Sequence, residues 1–508
     1  MNREAKLKTL GELAAIIAAH KAAGRTVVHC HGVFDLLHIG HIRYFSQARE
    51  LGDLLVVTLT PDRYVDKGPH RPAFSERLRA EALASLGDVD YVAINETPTA
   101  VETLFRLRPD VYVKGEEFRT VAADMTGKMG LEAEAVEKIG ARLAFTGDIV
   151  FSSSSLINRY LSNFPEELRE YLNVFRQRYA LPEVLAAVDR MGGLRVLVVG
   201  DAILDEYQYG QAIGKSSKDP VLALRYHSSD LFAGGALAVA NHLADFAGEV
   251  GLLTVLGEHQ RHEEFIVSQL DPRIRRVFHT RPGAPTILKR RFIDSESLNK
   301  LLELYVMDDA PIPPELDAAM AATFSELAGG YDLVIAADFG HASIGPRLLA
   351  ALCDGAPFLA VNTQANAGNR GFNTISRYRR ADVAFLAEHE LRLETRDLER
   401  DVRPLMEGVS AALRGAYCVV TTGRQGCSVL GPGGAFVKVP ALAATVVDRV
   451  GSGDAFFSVA AMAARLGLPE ELIGFLGNVA GGQAVETIGN KKPVRSLAIK
   501  KSLTALLK

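Results

Sequence analysis

The sequence predicts an α/β protein with two successive domains, each built on a parallel sheet flanked by helices. Two observations predict this class: short apolar segments alternate with helical segments, and they do so in two separate series along the 508 residues. A charged helical stretch at 164–191 separates the series, and the two halves carry different motifs. We therefore expect domains at 1–162 and 193–508, joined by a helical linker at 163–192.

The first series opens with a predicted amphipathic helix over residues 3–23, because apolar residues recur there at helical spacing and Gly24 follows. The segments after it alternate in character between short apolar runs and longer amphipathic ones. Strands are predicted within 25–35, 53–60, 89–94, 110–115 and 141–146, and helices within 38–52 and 76–87.

The second series follows the linker, whose helical pattern is interrupted at Pro182. Its apolar runs predict strands within 194–201, 249–257, 331–340, 357–363, 382–387 and 417–423. The glycine-rich stretch 431–440 predicts a β-hairpin, and the segment from Gly451 onward is predicted to be mostly helical.

Composition excludes several classes of protein. Hydrophobic residues make up 48% and charged residues 23%, an ordinary balance for a globular fold. A formal net charge of -4 argues against an electrostatically driven nucleic-acid binder. No apolar run is long enough to cross a bilayer, and the first residues are too charged for a secretory signal. The four cysteines are scattered, which argues against a disulfide framework. We expect a cytoplasmic protein without a membrane partner.

The most informative stretch of the first half is H-G-V-F-D-L-L-H-I-G-H at 31–41, which places Gly32 after a strand and His38, Gly40 and His41 at a helix start. Free N–H groups and the helix dipole favour an anion there. Two imidazoles spaced by three residues can face that anion, which suits a triphosphate under in-line attack. The same residues also suit a helix cap or a pair of metal ligands, so the short motif alone does not decide.

The stretch G-V-F-D-x-x-H-x-G-H resembles the nucleotidyltransferase superfamily of cytidylyltransferases and adenylyltransferases, and the resemblance extends over about residues 25–162. It implies a Rossmann-like domain in which a sugar or alcohol phosphate attacks the α-phosphorus of ATP or CTP and pyrophosphate leaves. Mg²⁺ would offset the phosphate charge. No covalent enzyme intermediate is expected.

The same resemblance assigns roles to residues elsewhere in this half. The basic loop 67–77 would close over the phosphates, with Lys67, Arg71 and Arg77 as phosphate contacts. Catalysis would fall to His38, His41 and Lys67. Nucleotide contacts would fall to Gly32, Val33, Phe34, Gly40, Lys114, Ser152, Ser153 and Arg159.

The anchor of the second half is D-R-V-G-S-G-D at 448–454. Gly451 and Gly453 flank a helix start, where backbone N–H groups can cradle an anion. Asp454 at its mouth can accept the proton of an attacking hydroxyl. A simple Asp cap after a glycine turn is the alternative for this tetrapeptide.

The motif D-x-x-G-x-G-D resembles the ribokinase-like (pfkB) carbohydrate kinases, over about residues 193–500. The resemblance implies a ribokinase-like α/β domain with a small β lid, ATP as phosphoryl donor and Asp454 as catalytic residue. Sugar contacts would fall to Asp201, Asp205, Gly234, Gly235, Asn241 and Lys289. Nucleotide contacts would fall to Thr422, Gly423, Gly426, Gly451, Gly453 and Asn478.

Two departures from the kinase pattern stand out. The N-x-x-E motif, which organises Mg²⁺ in that family, has Ala387 in place of Asn and keeps Glu390, which is then the expected Mg²⁺ ligand. The preceding segment 361–373 is rich in Asn. These departures leave an alternative open, in which an active nucleotidyltransferase is fused to a non-catalytic sugar-binding sensor or scaffold.

Together the two halves resemble the bifunctional heptose-phosphate kinase/nucleotidyltransferases, with the domain order reversed. The resemblance implies a bifunctional enzyme of nucleotide-sugar biosynthesis that uses Mg²⁺ and ATP in its kinase half and ATP or CTP in its nucleotidyltransferase half. Its expected partners are sugar phosphates, nucleoside triphosphates and a second copy of the chain, with no nucleic acid.

Overall fold

A computed structural model describes residues 3–65, 72–115, 128–147, 165–443 and 446–507. Contacts within the chain divide it into two units, the first at 1–166 with 500–508 and the second at 167–499. This division counts the helices of the predicted linker with the second unit. In the described ranges, no helix has the length and apolar character needed to cross a membrane.

The first unit is an α/β layer structure around a parallel sheet. Its described strands are β1 (Val27–Gly32), β2 (Leu54–Leu59), β3 (Tyr91–Ile94), β4 (Val111–Gly115) and β5 (Arg142–Thr146). They lie in the order β3-β2-β1-β4-β5. The described helices are α1 (Arg3–Lys6), α2 (Leu10–Ala22), α3 (Ile39–Arg49), α4 (Glu76–Ala84), α5 (Val101–Leu107) and α6 (Lys128–Lys138). The central strands are buried on both faces, as parallel strands covered by helices require.

The predicted single helix over 3–23 is in fact broken into α1 and α2. Leu7 leaves the helical path to form a parallel bridge with Val92 of β3. Thr9 then caps α2: its hydroxyl accepts the N–H of Glu12, and the Glu12 carboxylate accepts the N–H of Thr9. Periodicity alone did not reveal this break, because the residues on either side share one helical phase.

The second unit contains a larger mixed sheet. Its strands are β6 (Arg195–Lys215), β7 (Leu222–Gly235), β8 (Glu249–His259), β9 (Arg275–Pro285), β10 (Ile287–Asp294), β11 (Lys300–Val306), β12 (Leu333–Asp338), β13 (Leu359–Thr363), β14 (Val383–Ala387), β15 (Tyr417–Thr421), β16 (Cys427–Leu430) and β17 (Phe436–Val439). The parallel core runs β9-β8-β6-β12-β13-β14-β15, and β16 and β17 continue it as the predicted antiparallel hairpin.

Helices cover both faces of this core. They are α7 (Glu166–Arg178), α8 (Leu181–Arg190), α9 (Ala236–Leu243), α10 (Glu263–Gln269), α11 (Pro314–Ala328), α12 (Pro346–Gly355), α13 (Glu388–Thr395), α14 (Val402–Ala412), α15 (Ser452–Arg465) and α16 (Glu470–Ala484), and α17 (Ser496–Leu507) follows. Helix α7 packs on the second unit through Phe175, whose ring stacks on Phe475 with centroids 4.1 Å apart. Pro182 lies in the first turn of α8, where its missing N–H is tolerated, so it starts a helix there.

Strand β6 extends well beyond the predicted end at residue 201. Its first part pairs with β8 and β12 in the core, and its second part pairs with β7 and β10. Together with β11, these outer segments form the lid sheet, so the predicted small β lid is confirmed. One continuous strand therefore carries both Asp201 and Asp205 from the core into the lid.

Candidate functional site

In the first unit, the two histidines of the H-x-G-H motif lie together at the start of α3. His38 is the N-cap, and its Nδ1 accepts the N–H of Gly40 at 3.1 Å. Burial lowers the pKa of His38, which favours the neutral ring. Because Nδ1 accepts a hydrogen bond, the proton of that neutral ring is on Nε2. The His38 and His41 rings stack with centroids 4.0 Å apart.

The turn between β1 and α3 explains why the motif needs Gly32 and Phe34. Phe34 has a φ of 48°, a left-handed conformation that is uncommon for a bulky residue. A Cβ on Gly32 would lie 2.9 Å from Cζ of Phe34, so only glycine leaves room for the ring. The ring of Phe34 meets His41 edge-on at 5.5 Å. The strained turn thus holds the second histidine in place.

Arg79 is a site-supporting residue that we did not predict. Its guanidinium donates to the carbonyl oxygens of Val33 at 2.5 Å and Thr60 at 2.9 Å, and to Asp62 Oδ1 at 2.6 Å. It thereby joins the turns that follow β1 and β2. The sequence does contain an indication of this role. Arg79 precedes the apolar Leu83 by four residues, which places it on the buried face of α4.

Lys114, predicted to contact the nucleotide, is engaged within the fold. Its Nζ lies 2.7 Å from Glu132 Oε2 in a buried ion pair that links β4 to α6. Tyr112 donates to the same carboxylate at 2.9 Å. The exposed Arg77 pairs with Glu81 at 3.4 Å. The predicted contacts Lys67, Arg71, Ser152, Ser153 and Arg159 lie outside the described residues.

In the second unit, Asp454 lies in the first turn of α15 and is buried. Gly451 precedes the helix with a φ of 82°, and a Cβ there would lie 1.8 Å from Asn490 Oδ1. The N–H groups of Gly453 and Asp454 meet no acceptor among the described residues, as expected at a helix start. Burial and the charge of Asp205 raise the pKa of Asp454 to about 7, against the opposing charge of Lys289.

The lid brings the predicted sugar contacts Asp205 and Lys289 to this carboxyl group. Asp205 Oδ1 accepts from Arg291, while Oδ2 meets no donor among the described residues. A Cβ on Gly234 would lie 2.2 Å from that Oδ2, so the glycine gives the carboxylate its space. Burial lowers the pKa of Lys289, and Asp205 opposes the shift. A buried acid, a second carboxylate and a lysine thus converge at the mouth of the glycine turn.

Asp201, also predicted to bind sugar, accepts hydrogen bonds from a neighbouring turn. Its carboxylate accepts the N–H groups of Phe339 at 3.0 Å, His341 at 3.2 Å and Ser343 at 3.0 Å. These three bonds use both oxygens, so Asp201 positions the turn that follows β12, whose sequence is D-F-G-H at 338–341. A Cβ on Gly235 would lie 2.5 Å from the Asp201 carbonyl oxygen, which explains why a glycine follows Gly234 at this position.

The Asn-rich segment after β13 holds the same D-F-G-H turn from the other side. Asn366 and Asn369 donate to the carbonyl oxygen of Phe339 at 2.8 Å and 3.0 Å. Asn373 donates to the carbonyl oxygen of Asp338 at 2.8 Å. Side-chain amides thus serve as the hydrogen-bond donors to the carbonyl oxygens of this tight turn.

Asn241 does not contact the Asp205 and Asp454 cluster in the described structure. Its amide donates to the carbonyl oxygen of Gln269 at 3.0 Å and accepts the N–H of Asp271 at 2.9 Å. Both polar atoms therefore fasten α9 to the end of α10.

The predicted nucleotide contacts near β15 and α16 are also bonded internally. Asn478 donates to the carbonyl oxygen of Val439 at 3.2 Å, at the end of β17. Thr422 donates to the carbonyl oxygen of Gly426 at 3.1 Å and closes a turn. Gly423 and Gly426 have φ of 60° and 99°, which the turn requires.

Glu390, the predicted Mg²⁺ ligand, accepts a backbone N–H on each carboxylate oxygen. Its Oε2 accepts the N–H of Ala387 at 2.7 Å, and its Oε1 accepts the N–H of Ala365 at 2.9 Å. Burial raises the pKa of this carboxyl group despite those bonds. Across the described ranges no group of three or more His, Cys, Asp or Glu side chains could hold a metal ion. The assignment of Glu390 as a Mg²⁺ ligand stays a prediction, and Mg²⁺ would reach the kinase site as part of Mg·ATP.

Two family models match the chain. A cytidylyltransferase-like model matches residues 29–159, and a pfkB carbohydrate kinase model matches residues 194–496, more than half of the chain.

Curated relatives match a shorter part. Bifunctional protein HldE of Geobacter sulfurreducens is 39% identical over 167 residues, which is 32% of this chain and 33% of that protein. Bifunctional protein HldE of Geotalea uraniireducens is 42% identical over 142 residues, 28% of each chain. The chain thus matches about a third of the length of these relatives.

Solved structures show the fold of the second unit. The phosphofructokinase-2 structure from Escherichia coli in complex with potassium has a TM-score of 0.52 at 16% identity, covering 62% of this chain and 100% of that one. The same enzyme in complex with fructose-6-phosphate has a TM-score of 0.50 at 15% identity, with the same coverage. With the family match and the D-x-x-G-x-G-D geometry, the comparison leads to one conclusion: the chain belongs to the pfkB family of carbohydrate kinases and carries a cytidylyltransferase-like domain before its kinase domain.

Proposed function

We propose that this chain is a bifunctional enzyme of nucleotide-sugar biosynthesis. Its second unit phosphorylates a sugar or sugar phosphate with ATP, and its first unit transfers a nucleotidyl group from ATP or CTP to a sugar phosphate with release of pyrophosphate. The kinase half of the proposal rests on the buried carboxyl group of Asp454. It lies at a helix start where the N–H groups of Gly453 and Asp454 meet no acceptor among the described residues.

In the kinase reaction, Asp454 acts as general base. With its pKa raised to about 7, the carboxylate is basic enough to accept the hydroxyl proton of the sugar near neutral pH. The sugar oxygen then attacks the γ-phosphorus of Mg·ATP, the bond to the bridging oxygen breaks, and ADP leaves. The open N–H groups of Gly453 and Asp454 stabilise the charge on the transferring phosphoryl group.

Asp205 and Lys289 are the proposed acceptor contacts. Oδ2 of Asp205 is available to accept a hydrogen bond from a sugar hydroxyl, and Arg291 on Oδ1 holds the carboxylate in place. Lys289 is 5% exposed, so its ammonium group retains few waters and gains from a bound hydroxyl oxygen. Specific recognition of hydroxyl groups follows from such buried, fixed partners.

In the nucleotidyl transfer reaction, His38 and His41 bind the triphosphate. The Nε2–H of neutral His38 is a hydrogen-bond donor at the start of α3, where the helix dipole also favours negative charge. The phosphate oxygen of the acceptor attacks the α-phosphorus, and the pyrophosphate group leaves with the charge these donors stabilise. The relatives named Bifunctional protein HldE support this assignment for the first unit.

A matrix of substrates tests the proposal. Purified protein is incubated with Mg²⁺, each of ATP, CTP, GTP and UTP, and a panel of heptose, hexose and pentose phosphates, and pyrophosphate release is recorded. Free sugars and sugar 7-phosphates are tested in parallel for ADP release. We expect pyrophosphate with ATP or CTP and one sugar 1-phosphate, and ADP with one sugar. Sugar binding without ADP release would support the non-catalytic sensor in place of the kinase.

Assembly and location complete the proposal. One solved structure is a tetrameric inhibited form of phosphofructokinase-2 from Escherichia coli. For this chain we propose a cytoplasmic homodimer, and light scattering during size-exclusion chromatography would measure its mass in solution.

A further inference from the structure

The buried carboxylate of Asp448 receives hydrogen bonds from three separate parts of the second unit. The phenol of Tyr207 and the ammonium group of Lys300, both in the lid sheet, donate to it at 2.7 Å each. The N–H groups of Gly489 and Val450 donate at 3.0 Å and 3.2 Å. Burial disfavours the charged carboxylate, but the bonds from Lys300, Tyr207 and Gly489 outweigh it and lower the pKa of Asp448.

These contacts connect the residues proposed to bind the sugar to the glycine turn proposed to bind the transferring phosphoryl group. Tyr207 lies two residues beyond Asp205 on β6, so both side chains are on the same face of the strand. Asp448 precedes the helix-capping Gly451 by three residues. One short path therefore runs from the proposed sugar carboxylate, through Tyr207 and Asp448, to the N–H groups that would face the γ-phosphate.

The ion pair between Lys300 and Asp448 requires the lid sheet to lie against the 446–449 loop. The Asp448 side chain is 9% exposed and that of Lys300 is 33% exposed. Lifting the lid would leave the carboxylate without its cation, and a charge left unpaired in a buried position is costly. A cavity of about 370 Å³ lies between the lid and the 446–449 loop, and Tyr207, Lys300 and Asp448 line it together with Arg424 and Arg449. The contact thus bridges two surfaces that are otherwise separated by open space.

We propose that Lys300 and Tyr207 are positioning residues that latch the lid to Asp448 and so hold the start of α15 in its phosphoryl-binding conformation. The inference rests on the proposed kinase function. The contact is already formed in the structure. A sugar bound to Asp205 and Lys289 would stabilise this lid position further, and with it the conformation of the N–H groups of Gly453 and Asp454. By reciprocity, the sugar and ATP then increase each other's affinity.

Hydrogen exchange of the full-length protein tests the latch without a known sugar. In Lys300→Met we expect faster exchange both in the lid hairpin 294–306 and in segment 446–456. Lys215→Met, which removes an exposed lysine from the same lid sheet, is the matched control and leaves both segments unchanged. Faster exchange in the lid alone, or an equal effect of Lys215→Met, contradicts the latch.

Kinetics supply the second readout, with the sugar that gives ADP release from the wild-type protein. We expect the wild-type KM for ATP to fall several-fold as sugar saturates, within the usual coupling range of about 5–150-fold. Lys300→Met abolishes this coupling and lowers kcat by about tenfold or more, Tyr207→Phe has a smaller effect, and Lys300→Arg restores both. The double variant Lys300→Met with Asp448→Asn folds without a buried unpaired charge and stays uncoupled.

The two hypotheses fail in different ways. If the wild-type protein releases no ADP with any sugar, the kinase proposal fails, and the exchange data alone decide the latch. If the wild-type protein turns over and Lys300→Met keeps full coupling and kcat, the kinase stands and the latch is wrong.

Discussion

The imidazole of His38 stacks on that of His41 with ring centroids 4.0 Å apart, and its Nδ1 accepts the N–H of Gly40. In this geometry Nδ1 of His38 caps α3, so the proton of the neutral ring is on Nε2. His38 therefore serves both the fold and the proposed reaction, whereas nothing in the helix cap requires His41. The second histidine is accordingly the cleaner position for a test.

Removing the His41 ring should abolish nucleotidyl transfer. In His41→Ala we expect pyrophosphate release to fall by about 10²–10³-fold, the usual loss for one donor to a transition-state anion. The midpoint of urea unfolding should change little, since the ring is not part of the cap. His259→Ala, on an exposed strand end of the second unit, is the control and keeps wild-type pyrophosphate release.

Replacing the proposed base should abolish the kinase reaction. In Asp454→Asn we expect sugar-dependent ADP release to fall by about 10²–10⁴-fold, as for loss of a general base, with little change in the KM for ATP. Asp401→Asn is the control, because Asp401 precedes α14 on the surface without a side-chain capping bond. Equal activity of Asp454→Asn and wild type would exclude Asp454 as the base.

The kinase should show a pH limb near 7. Because the base must be ionised and the pKa of Asp454 is raised to about 7, kcat/KM should rise as pH increases through that value. Asp205 raises this pKa and Lys289 lowers it. Asp205→Asn should therefore move the limb to lower pH, and Lys289→Met should move it to higher pH. A limb that stays in place in both variants would mean that another group controls it.

The same carboxyl group should weaken the fold at high pH. Its pKa is about 7 in the folded chain, whereas an aspartate in an unfolded chain has a pKa of about 3.9. Between those values the folded state binds the additional proton, so stability falls as pH rises across them. Asp454→Asn removes this loss. Urea unfolding followed by circular dichroism should show the variant more stable than wild type at pH 8, by roughly 1–4 kcal/mol, and nearly equal to it at pH 4.

Arg79 should be essential for the first unit. Arg79→Met leaves the carbonyl oxygens of Val33 and Thr60 without their donor, so we expect a loss of about 3–5 kcal/mol in unfolding free energy. Arg77→Met on the same helix is the matched control, because that side chain is 87% exposed, and it should cost less than about 0.5 kcal/mol. Similar unfolding curves for the two variants would contradict the role assigned to Arg79.

The sequence predicted the fold well because periodicity and glycine turns are local signals. The parallel sheets, the hairpin at β16 and β17 and the small lid are all confirmed. The break at Leu7 was missed because it depends on a bridge to Val92, which is distant in sequence. The length of β6 was missed because its outer half is paired only with lid strands.

The site was only partly predictable, because a motif gives the position of a side chain but not its partners. Asp201 and Asp205 lie on one strand, yet Asp201 accepts hydrogen bonds from a turn 138 residues away, while Asp205 Oδ2 meets no donor in the part of the chain that the structure describes. Lys114 is paired with Glu132 because α6 packs over β4, and no local pattern states that. The predicted sugar and nucleotide contacts stay predictions until substrates are bound.

The most direct test of two independent active sites is a crossed assay. His41→Ala and Asp454→Asn are each measured for pyrophosphate release and for sugar-dependent ADP release on the same preparations. We predict that His41→Ala loses the first activity and keeps the second, and that Asp454→Asn does the reverse. If either substitution abolishes both activities in folded protein, the account of two separate sites is contradicted.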